Sequence, residues 1–159
     1  NTFVTVFSEG QFTLKGGPII MALAEKFPMY QFYFVGILEN EHNPKNLKNV
    51  HFLGRKTPIE LRIIYSKATY YFQLSISEGF GCALCEAMLC ECIPIGSNVN
   101  MIPQIIGDTG FVLKYQSIEE ANQLISTLEY NSILGEKARK QIIDNFSIEH
   151  RAEKLLKIV

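Results

Sequence analysis

The residues best equipped for chemistry fall in one stretch, Ser77-Glu78-Gly79-Phe80-Gly81-Cys82-Ala83-Leu84-Cys85-Glu86-Ala87-Met88. It follows an apolar, strand-like run over 68–76 and opens a helical pattern from about Gly81. Gly79 and Gly81 permit positive φ and let a ligand approach the backbone closely. The amides of Phe80, Gly81 and Cys82 would project from a helix N-terminus, where aligned peptide dipoles favour an anion such as a phosphate group. Glu86 lies more than a turn into that helix. It is out of reach of such a phosphate but suited to accept hydrogen bonds from hydroxyls further along the same ligand. Glu78, in the loop, can do the same on the other side. An anion socket between two hydroxyl acceptors is what a nucleotide sugar requires. The alternative for the same residues is an ordinary strand-to-helix turn with two solvated glutamates.

The elements that must position this stretch alternate along the chain. Strands are predicted over 3–8, 31–36, 50–54, 69–74, 92–96 and 110–113. Helices are predicted from Pro18 to Pro28, from Thr57 to about 67, from about Gly81, as a short turn over 103–106, from Ser117 to about 130, and over 133–159 with a break near 145–147. Pro18 and Pro58 suit first helical positions. Thr57-x-x-Glu60 and Ser117-x-x-Glu120 have the spacing of capping boxes. The polar run over 39–49, with Pro44, reads as a surface loop. Regular alternation of strand and helix predicts an α/β fold, a Rossmann-like parallel sheet with helices on both faces. In such sheets ligands bind beyond the carboxyl ends of the strands. The loops over 10–17, 54–57, 75–81 and 97–103 all follow strands, so all are expected at that edge.

With 159 residues the chain has one domain's length, and a formal net charge of −1 gives no electrostatic case for nucleic acid or an anionic membrane. No apolar run reaches membrane-spanning length and no signal peptide is visible. The chain runs directly into Phe3-Val4-Thr5-Val6-Phe7, as a piece of a longer protein would. The four cysteines, Cys82, Cys85, Cys90 and Cys92, lie within one short segment. Cys82-x-x-Cys85 has a zinc-like gap but no matching second pair, so small buried side chains in a reducing cytoplasm are expected. No metal site is predicted: the only aspartates are Asp108 and Asp144, so no Asp-x-Asp exists to carry a divalent ion.

Glu78-x7-Glu86, within Ser75-x-x-Glu78-Gly79-Phe80-Gly81-x-x-x-x-Glu86-Ala87-Met88, resembles the signature of the family 4 glycosyltransferases of GT-B fold. Lys15-Gly16, Phe52-Leu53-Gly54, Ile93-Pro94-Ile95 and Gly107-Asp108-Thr109-Gly110-Phe111 resemble further blocks of that family, so the likeness covers the whole chain. The resemblance implies that residues 1–159 are one half of a GT-B fold, the C-terminal, donor-binding domain of a retaining hexosyltransferase-type enzyme. The N-terminal acceptor domain would be absent and the isolated piece inactive. It implies a UDP- or GDP-type sugar as donor substrate, with no further cofactor. The expected partners are the enzyme's own N-terminal domain and an acceptor glycan or lipid-linked sugar, in glycan, polysaccharide or glycolipid biosynthesis. A cytoplasmic setting follows, with the full-length protein peripheral at the inner face of a membrane.

The resemblance also assigns roles. Lys15 and Gly16 would both bind the donor, Lys15 neutralising its diphosphate as a point charge; the alternative for Lys15 is a solvated lysine. The amides of Gly79, Phe80, Gly81 and Cys82 would hold sugar and phosphate. Glu78 would be the catalytic residue, hydrogen-bonded to the transferred sugar, and Glu86 would accept from the ribose hydroxyls. Arg55 would line the base or the diphosphate pocket, unless it is a surface arginine. Ser75 would shape the loop. A helix N-terminus and a lysine would together stabilise charge on the departing diphosphate without a metal.

Several positions depart from the family pattern. Gly10, flanked by Glu9 and Gln11, stands where an arginine is usual. Glu91 replaces a glycine, Leu74 a proline, and Asn100-Met101-Ile102-Pro103-Gln104 a Gly-Gly-x-Pro-Glu block. Two rival readings therefore accompany the first: a non-catalytic nucleotide-binding module with a decayed site, and a GT-B-like sugar-nucleotide epimerase.

Overall fold

A strand covered on both faces must be apolar on both, and the chain supplies such runs at the predicted places. The computed structural model describes residues 1–38, 42–43, 45–114, 117–129, 131–148, 150, 152 and 156. Its strands are β1 (Thr2–Val6), β2 (Gln31–Val35), β3 (Val50–Gly54), β4 (Tyr70–Gln73), β5 (Ile93–Ser97) and β6 (Phe111–Leu113). Its helices are α1 (Gly17–Lys26), α2 (Pro58–Lys67), α3 (Cys82–Leu89), α4 (Ile102–Ile106), α5 (Ile118–Thr127) and α6 (Ser132–Phe146). The strands form one parallel sheet in the order β3-β2-β1-β4-β5-β6. The α/β, Rossmann-like expectation therefore holds.

Side chains alternate across each strand, and the two faces are packed differently. On one, Phe3, Phe32, Phe34, Tyr70 and Phe72 meet α1 and α5. The Phe3 ring stacks 5.0 Å from each of Phe32, Tyr70 and Phe72, which locks β2, β1 and β4 side by side. Each fully buried ring contributes roughly 1.5–3 kcal/mol relative to exposure. On the other face, Val4, Val35 and Tyr71 meet aliphatic side chains of α2, α3, α4 and α6.

Local chemistry sets the element ends. Thr57 accepts a hydrogen bond from the Glu60 amide while the Glu60 carboxylate accepts from the Thr57 amide, so the predicted capping box on α2 forms in full. On α5 only half of it forms. Ser117 accepts from the Glu120 amide, but the Glu120 carboxylate turns to the Lys114 amide, 2.7 Å away. β1 ends at Val6 rather than at 8, because the chain turns through Ser8 and left-handed Gly10. α1 starts at Gly17, one residue before Pro18, with left-handed Gly16 as its N-cap. α5 ends at Thr127, short of 130, where Leu128 becomes extended; Tyr130 lies outside the described residues. The break predicted near 145–147 falls at Ser147, whose backbone is extended. Beyond it most of the predicted helix to 159 lies outside the described residues, as do 39–41 and 44 of the predicted loop. No helix among the described residues is long and apolar enough to cross a membrane.

Candidate functional site

β1 and β4 are neighbours at the centre of the sheet, yet the chain leaves them in opposite directions, β1 toward β2 and β4 toward β5. The loops that follow them must therefore part at their carboxyl ends and leave a crevice. The two loops are nevertheless tied together at its floor. The Ile76 amide donates to the Leu14 carbonyl at 2.8 Å. Gly16 packs so tightly on β4 that a Cβ there would lie 2.3 Å from the Leu74 carbonyl oxygen. Its φ of 77° is equally unsuited to a side chain.

This junction brings Lys15 and Glu78 together. The Lys15 Nζ lies 2.8 Å from Glu78 Oε2, with side-chain exposures of 20% and 14%. The same oxygen accepts from Gln73 Nε2 at 2.6 Å and Ser75 Oγ at 3.2 Å. The Glu78 amide donates to Asn100 Oδ1 at 3.1 Å, and Ser97 Oγ donates to the Ser75 carbonyl at 2.6 Å, so the loop after β5 is bound in as well. Sequence reasoning gave Lys15, Ser75 and Glu78 as separate candidates; the fold makes them one cluster. It overlooked Gln73 and Asn100. The signal for Gln73 was a polar residue inside the apolar run Tyr70-Tyr71-Phe72-Gln73-Leu74. For Asn100 it was an asparagine where the family pattern has glycine: its φ is 49°, a left-handed value that asparagine tolerates.

The other predicted residues continue from this cluster. Gly79 has open space where a Cβ would be, Phe80 is exposed with its ring edge-on to Phe146 at 5.9 Å, and Gly81 caps α3 with a φ of 97°. Cys82 is the first helical residue, and among the described residues the amides of Phe80, Gly81 and Cys82 donate to no protein acceptor. Glu86 lies a turn further on, exposed, with desolvation pushing its carboxyl above the usual carboxylate range. Arg55 does not join the Lys15–Glu78 cluster. It is exposed at the end of β3 and lines a cleft of about 620 Å³ with Glu9, Gly10, Gly36, Leu38 and His42. It makes no ion pair among the described residues.

The four cysteines are free thiols, but the expectation of buried side chains holds for Cys92 alone: Cys85 and Cys90 are half-buried, and Cys82 is exposed where α3 opens. Burial pushes Cys85 and Cys92 up to about 12, and Cys92 donates to the Tyr65 carbonyl at 3.1 Å. Among the described residues no three His, Cys, Asp or Glu side chains come together as a metal site would require. The family-pattern departures at Glu91 and Asn100 keep a glycine-like backbone, with φ of 67° and 49°. Gly10 is also left-handed, at 74°, and a Cβ on it would meet nothing within 4 Å.

The comparisons with known proteins bear on the fold and the family. The chain is 32% identical over 122 residues to the N-acetyl-alpha-D-glucosaminyl L-malate synthase of Bacillus anthracis, an alignment covering 69% of this chain and 30% of that protein. It is 29% identical over 154 residues to the trehalose synthase of Thermococcus litoralis, covering 85% and 37%. The sucrose-phosphate synthase of Thermosynechococcus elongatus superposes with a TM-score of 0.79 at 22% identity, over 99% of this chain and 44% of that one. A structure of S. aureus TarM in complex with UDP, fondaparinux and alpha-GlcNAc-glycerol superposes with a TM-score of 0.81 at 21% identity, over 98% and 34%. The chain thus spans roughly a third of the length of the curated relatives it matches. Residues 19–146 match the family described as "Glycosyl transferases group 1", and the chain belongs to that family.

Proposed function

We propose that this chain is the donor-binding half of a retaining, GT-B glycosyltransferase of family 4, taking a UDP- or GDP-type sugar and passing its glycosyl group to an acceptor glycan or lipid-linked sugar. The observation that carries the reading is the Lys15–Glu78 contact of 2.8 Å at the sheet's switch point, beside the free amides that open α3. A cation, a helix N-terminus and a carboxylate converge where a sugar diphosphate would lie with its leaving group on the first two and its sugar against the third. In the reaction the bond from the anomeric carbon to the diphosphate breaks and one to the acceptor oxygen forms, the acceptor hydroxyl's proton passing to the departing diphosphate. Lys15 and the amides of Gly79, Phe80, Gly81 and Cys82 stabilise the charge left on the diphosphate, and no divalent ion is needed. Glu78 holds the sugar hydroxyls, and Glu86 accepts from the ribose. Arg55 and its cleft take the nucleoside end.

The acceptor side belongs to an N-terminal domain of the full-length enzyme. Leu14, Ile76, Phe80 and Met101 are exposed on the loops around the crevice, an apolar rim suited to closing against it. The full-length protein works in the cytoplasm, at the inner face of a membrane when the acceptor is lipid-linked. Residues 1–159 alone bind donor weakly and transfer nothing.

The test is an amide NMR titration of this chain with UDP, GDP, ADP and their sugars. Shifts confined to residues 15–17, 55 and 78–86 with one base are expected. No shift at millimolar ligand would overturn the reading. One observation favours the rival of a decayed, non-catalytic nucleotide-binding module: Gly10 leaves open space where an arginine is usual. Its left-handed backbone makes Gln11 the better place to restore one. A Gln11→Arg chain with unchanged nucleotide affinity would favour the decayed site, and a gain would favour the enzyme.

A further inference from the structure

Behind Glu78 lies a row of buried polar side chains that nothing above explains. Residues two apart on a strand share a face, so Tyr71 and Gln73 lie together on the α3 side of β4, and Ser75, past the strand's end, continues the file toward the site. They are 0%, 2% and 0% exposed. The Tyr71 hydroxyl donates to Gln73 Oε1 at 3.0 Å, and Gln73 Nε2 donates to Ser75 Oγ at 2.8 Å and to Glu78 Oε2 at 2.6 Å. Ser75 Oγ in turn donates to Glu78 at 3.2 Å. Every hydrogen in this chain has one destination. An ionised carboxylate can only accept, so the amide nitrogen faces Ser75 and Glu78 and the amide oxygen is left to accept from the Tyr71 hydroxyl. The ring that closes the other end of the file is immobilised, edge-on to Tyr65 at 5.9 Å inside the aliphatic layer.

We propose that Tyr71 and Gln73 are positioning residues: a buried relay that fixes the Glu78 carboxylate at the switch point in the orientation that meets Lys15 and, on the donor reading above, the transferred sugar. Without the tyrosine hydroxyl the buried amide oxygen loses its donor, and the amide is held only through its nitrogen, by Ser75 and Glu78. Without the amide, Glu78 loses its shortest hydrogen bond and retains only Lys15 and Ser75. The relay acts through Glu78, so it governs the sugar end of the donor directly and reaches the diphosphate end only by releasing Lys15; the Arg55 cleft lies outside it.

The experiment has two arms and one shape-preserving variant. Tyr71→Phe/Gln73→Leu removes both polar partners together and leaves no orphaned buried group, so it is expected to fold like the parent. The first arm compares ligand-free crystal structures of parent and variant. The Glu78 carboxylate is expected to leave its place and its contact with Lys15 to open, with the sheet unchanged. A Glu78 that stays where it is overturns the relay. The second arm measures binding by calorimetry, UDP against UDP-glucose and GDP against GDP-mannose. Sugar-nucleotide affinity is expected to fall by about tenfold relative to nucleoside-diphosphate affinity, which is kept or raised as Lys15 is released, the scale of one lost charge-assisted hydrogen bond. Equal losses for both ligands overturn the positioning role. A parent chain that binds no nucleotide overturns the donor reading instead, and the crystallographic arm alone then decides on the relay. Gln73→Leu and Tyr71→Phe made singly should rank between parent and double variant, with the tyrosine the milder.

Discussion

The two ends of the candidate site are built to different standards. Around Glu78 three side-chain donors converge on one carboxylate oxygen, the backbone is pinned by Asn100, and one of the donors, Gln73, stands on a central strand. Around Arg55 the walls are loops. Gly10, Gly36 and Gly54 line that cleft with φ of 74°, 95° and 64°, and the arginine is exposed. The difference matches what each end is proposed to do. A reacting centre loses rate when its groups are misplaced by even an ångström, so it is fixed before the substrate arrives. Nucleoside recognition tolerates adjustment, and backbone-lined loops can supply it on contact.

The largest test of this contrast is in the backbone. Gly16→Ala forces a Cβ to 2.3 Å from the Leu74 carbonyl at a left-handed φ, which is expected to cost about 3 kcal/mol and roughly 10 °C in Tm. Gly10→Ala carries the same left-handed strain without any collision and should cost only about 1 kcal/mol. Thermal unfolding of both reads the difference; similar losses would erase it. Next in size is charge. Lys15→Met leaves a carboxylate that is 14% exposed without its cation and should weaken nucleoside-diphosphate binding about thirtyfold, near 2 kcal/mol. Arg55→Met, at an exposed site, should weaken it about threefold. Calorimetry showing Arg55 to be the stronger of the two would invert the assignment of the ends.

The third test uses acid. Desolvation raises the Glu86 carboxyl, so it takes up its proton at a higher pH than a free glutamate. Accepting hydrogen bonds from two hydroxyls needs the charged form, which is lost as pH falls. Nucleotide affinity should therefore begin to weaken on acidification above the ordinary glutamate range, and Glu86→Gln should remove that step. A parent pH profile identical to that of Glu86→Gln would clear Glu86 of the role. The smallest effect lies outside both ends. Glu91 holds a left-handed φ of 67°, so Glu91→Gly should stabilise the fold by about 0.5–1 kcal/mol. The urea midpoint should rise at constant slope; a midpoint that does not move would mean the strain is already relieved.

Local signals survived the step from sequence to structure where the interaction is itself local. The Thr57–Glu60 capping box spans three residues and formed as read. The Ser117–Glu120 box formed by half, because a competing amide at Lys114 sat within reach of the same carboxylate. The strands were legible from apolar runs and turn residues, while their ends moved with backbone conformation, as at Gly10 and Leu128. The site was legible as a list and not as an arrangement. Lys15 and Glu78 are 63 residues apart in sequence, and only the order of the sheet puts β1 beside β4. Gln73 escaped for a related reason: its role depends on which face of β4 it occupies and on what stands two residues to either side. Arg55 proved to belong to a different cleft because β3 is an edge strand three places from β4.

The Lys15–Glu78 pair has a consequence for how fast a ligand arrives. Before any donor enters, the cation that would attract it already has a counter-ion 2.8 Å away, so the crevice presents a dipole rather than a net positive charge. Long-range steering of an anionic nucleotide depends on uncompensated charge and decays over a screening length of about 8–10 Å. Association with this chain should accordingly proceed at an unsteered rate that barely changes between low and physiological salt. Glu78→Gln, which unmasks the lysine, should bind its ligand faster and with a marked dependence on ionic strength. Stopped-flow measurements at two salt concentrations would separate the two cases, and a parent rate that falls steeply with salt would show that the lysine is unmasked in solution.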